Sequence, residues 1–300
     1  MSEDRRYASP TDFRRALTGR LRALSQSGPW TLPQLQRQIA YDRLLERLYG
    51  MDDGWVLKGA TALLARDIGV RGTIDVDLYR LAAQQDAQAD LRRAVAVDIG
   101  DWFNFEIRAP RPIAAAGPGL RLPVVASIGG TVWTEFHIDL VGVELRMTGV
   151  PDRVPPLAQV TMPDVEQHGY RAYPLVDHAA DKIVAILERY GAISAPSTRY
   201  KDLVDLVAIV TSSTVDAAAQ QIALRSEADR RGVVLHDHFD VPDYRLWERG
   251  YAAEAGRSLL TTAKTLDDAL AVVKPFIDPL LDGDACGRWN PSSGQWRDES

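Results

Sequence analysis

The chain reads as an α+β protein, with a mixed sheet and flanking helices in its N-terminal half and a helical domain in its C-terminal half. Three observations predict this. Between residues 55 and 143 apolar and polar residues alternate in several short runs, the pattern of half-buried strands. Two of those runs flank Gly129-Gly130, a pair suited to a tight hairpin turn. From Asp164 onward, apolar residues recur at helical spacing instead.

Taken in order, Ser9-Pro10-Thr11-Asp12 is a helix start, a cap residue followed by proline in the first turn. Phe13, Leu17, Leu21 and Leu24 continue it at helical spacing. A second helix is expected over Leu32 to Tyr49, closed by Gly50 and Asp52-Asp53-Gly54. Trp55-Val56-Leu57 reads as a short strand, Gly59 to Ile68 as a helix, and Thr73 to Tyr79 as a strand. A helix over about 83–102 follows, then an extended stretch from Phe103 to Arg108. A loop from Pro110 to Gly119 leads into strands Leu120 to Ile128 and Val132 to Val143. Five helices are expected after that, over Val176 to Tyr190, Tyr200 to Ser212, Val215 to Gly232, Tyr251 to Ala263 and Leu266 to Leu281. The tail from Asp282 is polar and expected to be loose. Residues 151–163, bounded by prolines, are the expected joint, which divides the chain into domains 1–163 and 164–300.

The balance of 46% hydrophobic and 25% charged residues is that of a globular protein. No apolar run is long enough to span a bilayer, and no signal peptide is evident. With a single cysteine, Cys286, which excludes an internal disulfide, this leads to the expectation of a cytoplasmic protein without membrane partners. A net charge of -6 excludes a surface that is basic throughout, but not a local patch for nucleic acid. Arg5, Arg6, Arg14, Arg15, Arg20 and Arg22 are either such a patch or a solvated helix face.

Asp75-Val76-Asp77 carries the strongest chemical signal. Side chains alternate along a strand, so Thr73, Asp75, Asp77 and Tyr79 share one face while Ile74, Val76 and Leu78 pack behind them. Two carboxylates about 7 Å apart on one strand repel each other, and a cation between them resolves the repulsion. Oxygen ligands select a hard ion, magnesium or manganese. A strand with a polar outer face gives the same pattern. The surroundings add weight. Lys58-Gly59 stands where a strand turns into a helix, a place where phosphate can approach backbone amides. His137 and Asp139 share a face of a later strand, so Asp139 is a candidate third carboxylate, enough for a two-metal arrangement. His236-Asp237-His238 lacks a third ligand at useful spacing and reads as a polar loop.

The segments Leu57-Lys58-Gly59-Ala60-Thr61-Ala62-Leu63 and Arg71-Gly72-Thr73-Ile74-Asp75-Val76-Asp77-Leu78 resemble the first motif of the AbiEii-type nucleotidyltransferase toxins, including the MenT group. That motif runs Gly-Gly/Ser, a helical spacer, then Asp-x-Asp/Glu. Ala60 departs from it, which leaves Thr61 or Thr73 to supply the usual hydroxyl. Asp177 to Arg189, containing Lys182, is similar to the family's lysine helix. Tyr200-Lys201-Asp202-Leu203-Val204-Asp205-Leu206 is similar to its Lys-Asp-x-x-Asp-Leu motif.

The resemblance implies a nucleotidyltransferase fold in the DNA polymerase beta-like superfamily, with a substrate cleft between the two domains. It assigns catalysis to Asp75, Asp77, Lys182 and Asp202, with the metal on Asp75 and Asp77 assisted by Asp139. The nucleoside triphosphate would meet Lys58, Gly59, Thr73 and Lys182. It also implies the toxin of a type IV toxin–antitoxin or phage-defence pair, with a separately encoded AbiEi-like antitoxin. Its MenT-like members modify tRNA 3′ ends and so stop translation. Other uses of the same carboxylates are a small-molecule or protein acceptor, a D-x-D glycosyltransferase, or a binding protein on a degenerate transferase scaffold.

Overall fold

A computed structural model describes residues 7–80, 84–113, 119–141, 146–191 and 193–298. The chain forms two compact units. The first takes residues 1–66, 72–145 and 153–172, and the second takes residues 67–71, 146–152 and 173–300.

The first unit opens with α1 (Pro10–Ser27), capped by the Ser9 hydroxyl accepting from the Asp12 amide at 3.1 Å, with Phe13, Leu17 and Leu21 buried. In α2 (Leu32–Met51) the Gln34 side chain reaches back to accept from the Thr31 amide at 2.9 Å. Residues 38–48 are buried on every side, charged residues included. Arg43 and Arg47 converge on Asp101, and Asp42 accepts from the Leu157 amide. The apolar stripe in the sequence therefore understates how deeply this helix is enclosed.

The sheet of this unit runs β3-β5-β6-β2-β1-β8-β7, with β4 paired to β5. Its strands are β1 (Trp55–Lys58), β2 (Asp75–Arg80), β3 (Phe103–Ile107), β4 (Arg111–Pro112), β5 (Gly119–Ile128), β6 (Thr131–Val141), β7 (Asp152–Val154) and β8 (Tyr170–Ala172). It is mixed: β2 lies parallel to β6, and β1 parallel to β8, while β1–β2, β3–β5 and β5–β6 are antiparallel. The α+β class with a mixed sheet and flanking helices holds. So does the Gly129-Gly130 hairpin, where both residues adopt positive φ (58° and 75°) as a primed turn requires.

Several boundaries shift for physical reasons. The strand expected from Thr73 begins at Asp75, so Ile74 is not core but 54% exposed. The helix expected to reach 102 is α4 (Gln84–Val95). The chain then turns through Gly100 and Trp102, both at positive φ, to deliver Asp101 to the two buried arginines. The first residue of the expected helix, 83, lies outside the described residues, as do 142 and 143 of the expected strand. The helix after Gly59 is α3 (Gly59–Ala65), shorter than its periodicity suggests. The expected joint, 151–163, contains β7, a strand of the main sheet.

The second unit is mostly helical: α5 (Leu175–Leu187), α6 (Tyr200–Ser212), α7 (Ala217–Arg231), α8 (Tyr244–Arg257) and α9 (Leu266–Asp282). Helix α8 begins seven residues before the expected Tyr251, because the Asp243 side chain caps the Leu246 amide at 3.0 Å and Trp247 fills the core. Between α5 and α6, β9 (Arg189–Tyr190) and β10 (Ala195–Pro196) form a short hairpin. The tail is not loose: β11 (Arg288–Asn290) and β12 (Gln295–Arg297) form another. Trp289 there is buried and donates to the Val210 carbonyl at 2.7 Å, and Trp296 stacks on Phe276 at 5.0 Å. Among the described residues, no helix is long and apolar enough to cross a membrane.

Candidate active site

The middle of the first unit's sheet aligns four charged residues in one row. Across β1, β2, β6 and β5, Lys58 pairs with Asp77, Asp77 with Asp139, and Asp139 with Arg121. Paired residues on neighbouring strands point to the same face, so the row reads plus, minus, minus, plus. One step along the strands, Asp75 pairs with His137 on that same face. Behind them Val76, Leu78, Ile138 and Leu140 are fully buried, as the alternation requires.

Local geometry fixes each carboxylate. Gly59 sits at φ 61°, and a Cβ built there would lie 1.7 Å from Oδ2 of Asp77. Only glycine leaves room for that carboxylate against the backbone at this turn. The space above Gly59, where the sequence suggested a phosphate could approach, is thus taken by Asp77. The Thr61 and Thr73 hydroxyls both donate to the Asp75 carbonyl, at 3.0 and 3.2 Å. Both hydroxyls thus brace the start of β2, while Ala60 is buried. Tyr41 of α2 braces the approach to β2 by donating to the Thr73 carbonyl at 3.0 Å. Burial raises the Tyr41 hydroxyl pKa, so that proton stays in place.

Asp139 is not simply a third carboxylate awaiting an ion. Arg121 holds it by both prongs, Nε to Oδ1 at 2.8 Å and Nη2 to Oδ2 at 2.6 Å. The same Nη2 is 3.8 Å from Oδ1 of Asp75. The bond to Asp139 raises the pKa of Arg121, with the Asp75 and Asp77 charges adding to the effect. His137 Nδ1 stands 3.6 Å from Oδ1 of Asp75. Among the described residues, no three His, Cys, Asp or Glu side chains converge as a ready-made metal cage. The donor set still suits a hard divalent cation. Asp75 and Asp77 offer carboxylate oxygens on one face of one strand, and the missing side chain at Gly59 lets the Asp77 carboxylate lie against the backbone.

The other predicted residues meet in the second unit. Lys182 of α5 is 5% exposed, and its ammonium donates to Asp202 Oδ1 at 3.0 Å and Asp205 Oδ2 at 2.6 Å. Asp205 in turn holds Arg71 by two bonds of 2.8 Å, and Arg199 reaches Asp202 at 2.5 Å. Burial alone would raise the Asp205 pKa, but Lys182 and Arg71 outweigh it and hold it at about 2. Burial likewise opposes charge on Lys182, yet Asp202 and Asp205 keep its pKa above the ordinary value. Asp202 does pair with Arg199, as its sequence neighbourhood allows. Its bond to Lys182, and the Asp205–Arg71 fork, come from tertiary contact.

The structure thus gathers Lys58, Gly59, Thr73, Asp75, Asp77 and Asp139 in one unit, and Lys182 with Asp202 in the other. Arg121 and Tyr41 were not singled out in the sequence, and Arg71 and Asp205 stood in the quoted motifs without an assigned role. The arginine patch near the N-terminus is partly committed elsewhere. Arg14 donates to the Thr131 and Val132 carbonyls at 3.0 Å each, and Arg20 to the Thr161 carbonyl at 2.8 Å. Arg15 pairs with Asp12, while Arg5 and Arg6 lie outside the described residues. His236-Asp237-His238 is an exposed loop. A concavity of about 960 Å³ in the first unit shares no residue with the carboxylate row. Part of its polar lining is paired, Arg43 with Asp101 and Glu46 with His168.

Among solved structures, the MenT4 nucleotidyltransferase toxin from Mycobacterium tuberculosis H37Rv is similar at 14% identity, with 74% of each chain covered and a TM-score of 0.49. A putative nucleotidyltransferase from Helicobacter pylori is similar at 15% identity, with 84% of this chain and 92% of that chain covered and a TM-score of 0.41. JHP933 from Helicobacter pylori is similar at 13% identity, with 86% and 87% covered and a TM-score of 0.38. No curated protein matches the chain in sequence. The sequence pattern described as "Nucleotidyl transferase AbiEii toxin, Type IV TA system" matches residues 43–272. The chain belongs to the AbiEii family of nucleotidyltransferase toxins of type IV toxin–antitoxin systems.

Proposed function

We propose that this protein transfers a nucleotidyl group from a nucleoside triphosphate to a hydroxyl of RNA, with the 3′ end of tRNA as acceptor, and thereby blocks translation. The observation that carries the reading is the pair Asp75 and Asp77, side by side on one face of β2 with Asp77 seated on Gly59. Family membership supports the reaction type.

In the proposed reaction the acceptor oxygen attacks the α-phosphorus. The bond from that phosphorus to the oxygen bridging to the β-phosphate breaks, and pyrophosphate leaves with the electron pair. The acceptor's proton passes to a carboxylate or to water. Asp75 and Asp77 would hold the divalent cation, magnesium or manganese, with Asp139 as a further ligand. When bound, that ion supplies charge neutralisation at the α-phosphate and lowers the pKa of the attacking hydroxyl. Lys58, at the end of β1, is a point charge for the triphosphate, and the Thr73 hydroxyl would donate to it on leaving the Asp75 carbonyl. Gly59 contributes by letting Asp77 lie against the backbone. Such transfer depends mainly on positioning and charge stabilisation rather than covalent chemistry.

Lys182 and Asp202 enter the proposal through the family resemblance. Their mutual commitment, with Asp205, makes the lysine a fixed cation. A role toward phosphate requires one of the two carboxylates to yield. The biological setting proposed is restraint by a separately encoded AbiEi-like antitoxin and a part in phage defence.

The test is incubation with each labelled nucleoside triphosphate, magnesium and total RNA. Labelled tRNA that disappears with Asp75→Ala is the expected result. Label on a small molecule, protein or sugar acceptor would replace the acceptor in this reading. No labelled product at all would overturn catalysis.

A further inference from the structure

Arg121 changes what the carboxylate face can bind. It is fixed on β5 directly across from Asp139, and its fork covers both oxygens of that carboxylate at 2.8 and 2.6 Å. A bidentate guanidinium takes up one in-plane lone pair on each oxygen, the pair a chelating metal would use. Its Nη2 also stands 3.8 Å from Oδ1 of Asp75, so a cation here meets a positive charge already in place. The arrangement is not locked. The Arg121 side chain is 42% exposed, and ion pairs with that much solvent contribute little net stability, so the fork can open. Asp139, at 12% side-chain exposure, is the better buried partner and stays put.

We propose that Arg121 competes with the divalent cation for Asp139, so that this residue sets both the affinity of the site and the number of ions it holds. The inference rests on the reading of Asp75 and Asp77 as cation ligands. With the fork closed, the ion has Asp75 and Asp77 on β2. With the fork open, Asp139 faces Asp77 in register and becomes a third ligand. Arg121 is thus a positioning residue: it acts on the ion through Asp139.

The experiment titrates the full chain with manganese and reads free ion by electron paramagnetic resonance, alongside thermal melting, for the wild type, Arg121→Ala and Arg121→Lys. Removing the charge is expected to tighten manganese binding about ten-fold or to add a second ion. Arg121→Lys, which keeps the charge but loses the fork, is expected to fall between the two. Equal affinity and stoichiometry in wild type and Arg121→Ala would overturn the inference, as would weaker binding in the variant. Should Arg121→Ala fail to fold, Arg121→Gln carries the same expectation. Manganese binding that is present but insensitive to Asp75→Asn, or absent from every variant, would instead remove the cation reading beneath it.

Discussion

Two charge clusters built from the same residue types serve opposite ends in this molecule. In the first unit Lys58, Asp77, Asp139 and Arg121 form a row across the sheet with Asp75 beside it. Asp75 and Arg121 keep 29% and 42% of their side chains exposed. In the second unit Lys182, Asp202 and Asp205 are 6%, 9% and 2% exposed, and Arg71 and Arg199 complete their pairing. Burying a charge costs several kcal/mol unless a partner meets it, and in the second cluster every charge has an opposite partner within 3.0 Å. The first cluster holds three carboxylates close together, Asp75 open to solvent and Asp139 nearly buried in the Arg121 fork. That excess of negative charge is what a divalent cation and a triphosphate can use. The first cluster is open with one carboxylate in surplus; the second is buried with one cation in surplus.

The contrast can be broken by substitution, first at Gly59, the turn on which Asp77 rests. Gly59→Ala places a methyl group where Oδ2 of Asp77 lies and strains a residue at φ 61°. Nucleotide transfer is expected to fall about 100-fold through displacement of that carboxylate. Steady-state kinetics with labelled triphosphate measures it, and a kcat within two-fold of wild type would show that Asp77 does not depend on the turn.

Next comes the buried cluster. Asp205→Asn leaves Lys182 and Arg71 facing a neutral group and is expected to cost about 3 kcal/mol of stability, read by urea denaturation. Unchanged stability would mean that the cluster is not the scaffold described.

Acid probes the same cluster more gently. Asp205 titrates at about 2 in the folded chain against an ordinary 3.8. A depressed carboxylate contributes stability above its unfolded pKa and loses it as pH falls through the folded one. The melting temperature is therefore expected to drop between pH 4 and 2, and Asp205→Asn to flatten part of that drop. A parallel slope in the variant would contradict the assignment.

The smallest effect concerns the N-terminal arginines. Arg14→Ala is expected to cost about 1 kcal/mol, from two lost bonds to carbonyls and its place 5.4 Å over the Trp133 ring. The salt dependence of RNA binding should not change, since Arg14 is already committed. A shallower salt slope would return it to an RNA surface.

How much of this was legible in the sequence depends on distance along the chain. The Asp75-Val76-Asp77 alternation, the glycine turn before it and the hairpin at Gly129-Gly130 are local, and each took its expected form. Arg121 was hidden by one residue. Counting back from the hairpin, where Ile128 pairs with Thr131, would set Arg121 opposite Ile138. A bulge between Ala126 and Ser127 shifts the register and brings it to Asp139. The Asp205–Arg71 fork spans 134 positions, and no local pattern announces it. The tail was misread because its order comes from Trp289 and Trp296 packing on Phe276, which polar composition conceals. Ile74 was misplaced because alternation gives the faces of a strand but not where the strand begins.

The central claim, that the open carboxylate face carries the chemistry, is tested most directly by Asp77→Asn in a transfer assay run beside a thermal melt. The account predicts that labelling of RNA falls about 1000-fold while the melting temperature stays at the wild-type value. Labelling that survives in the folded variant would contradict it.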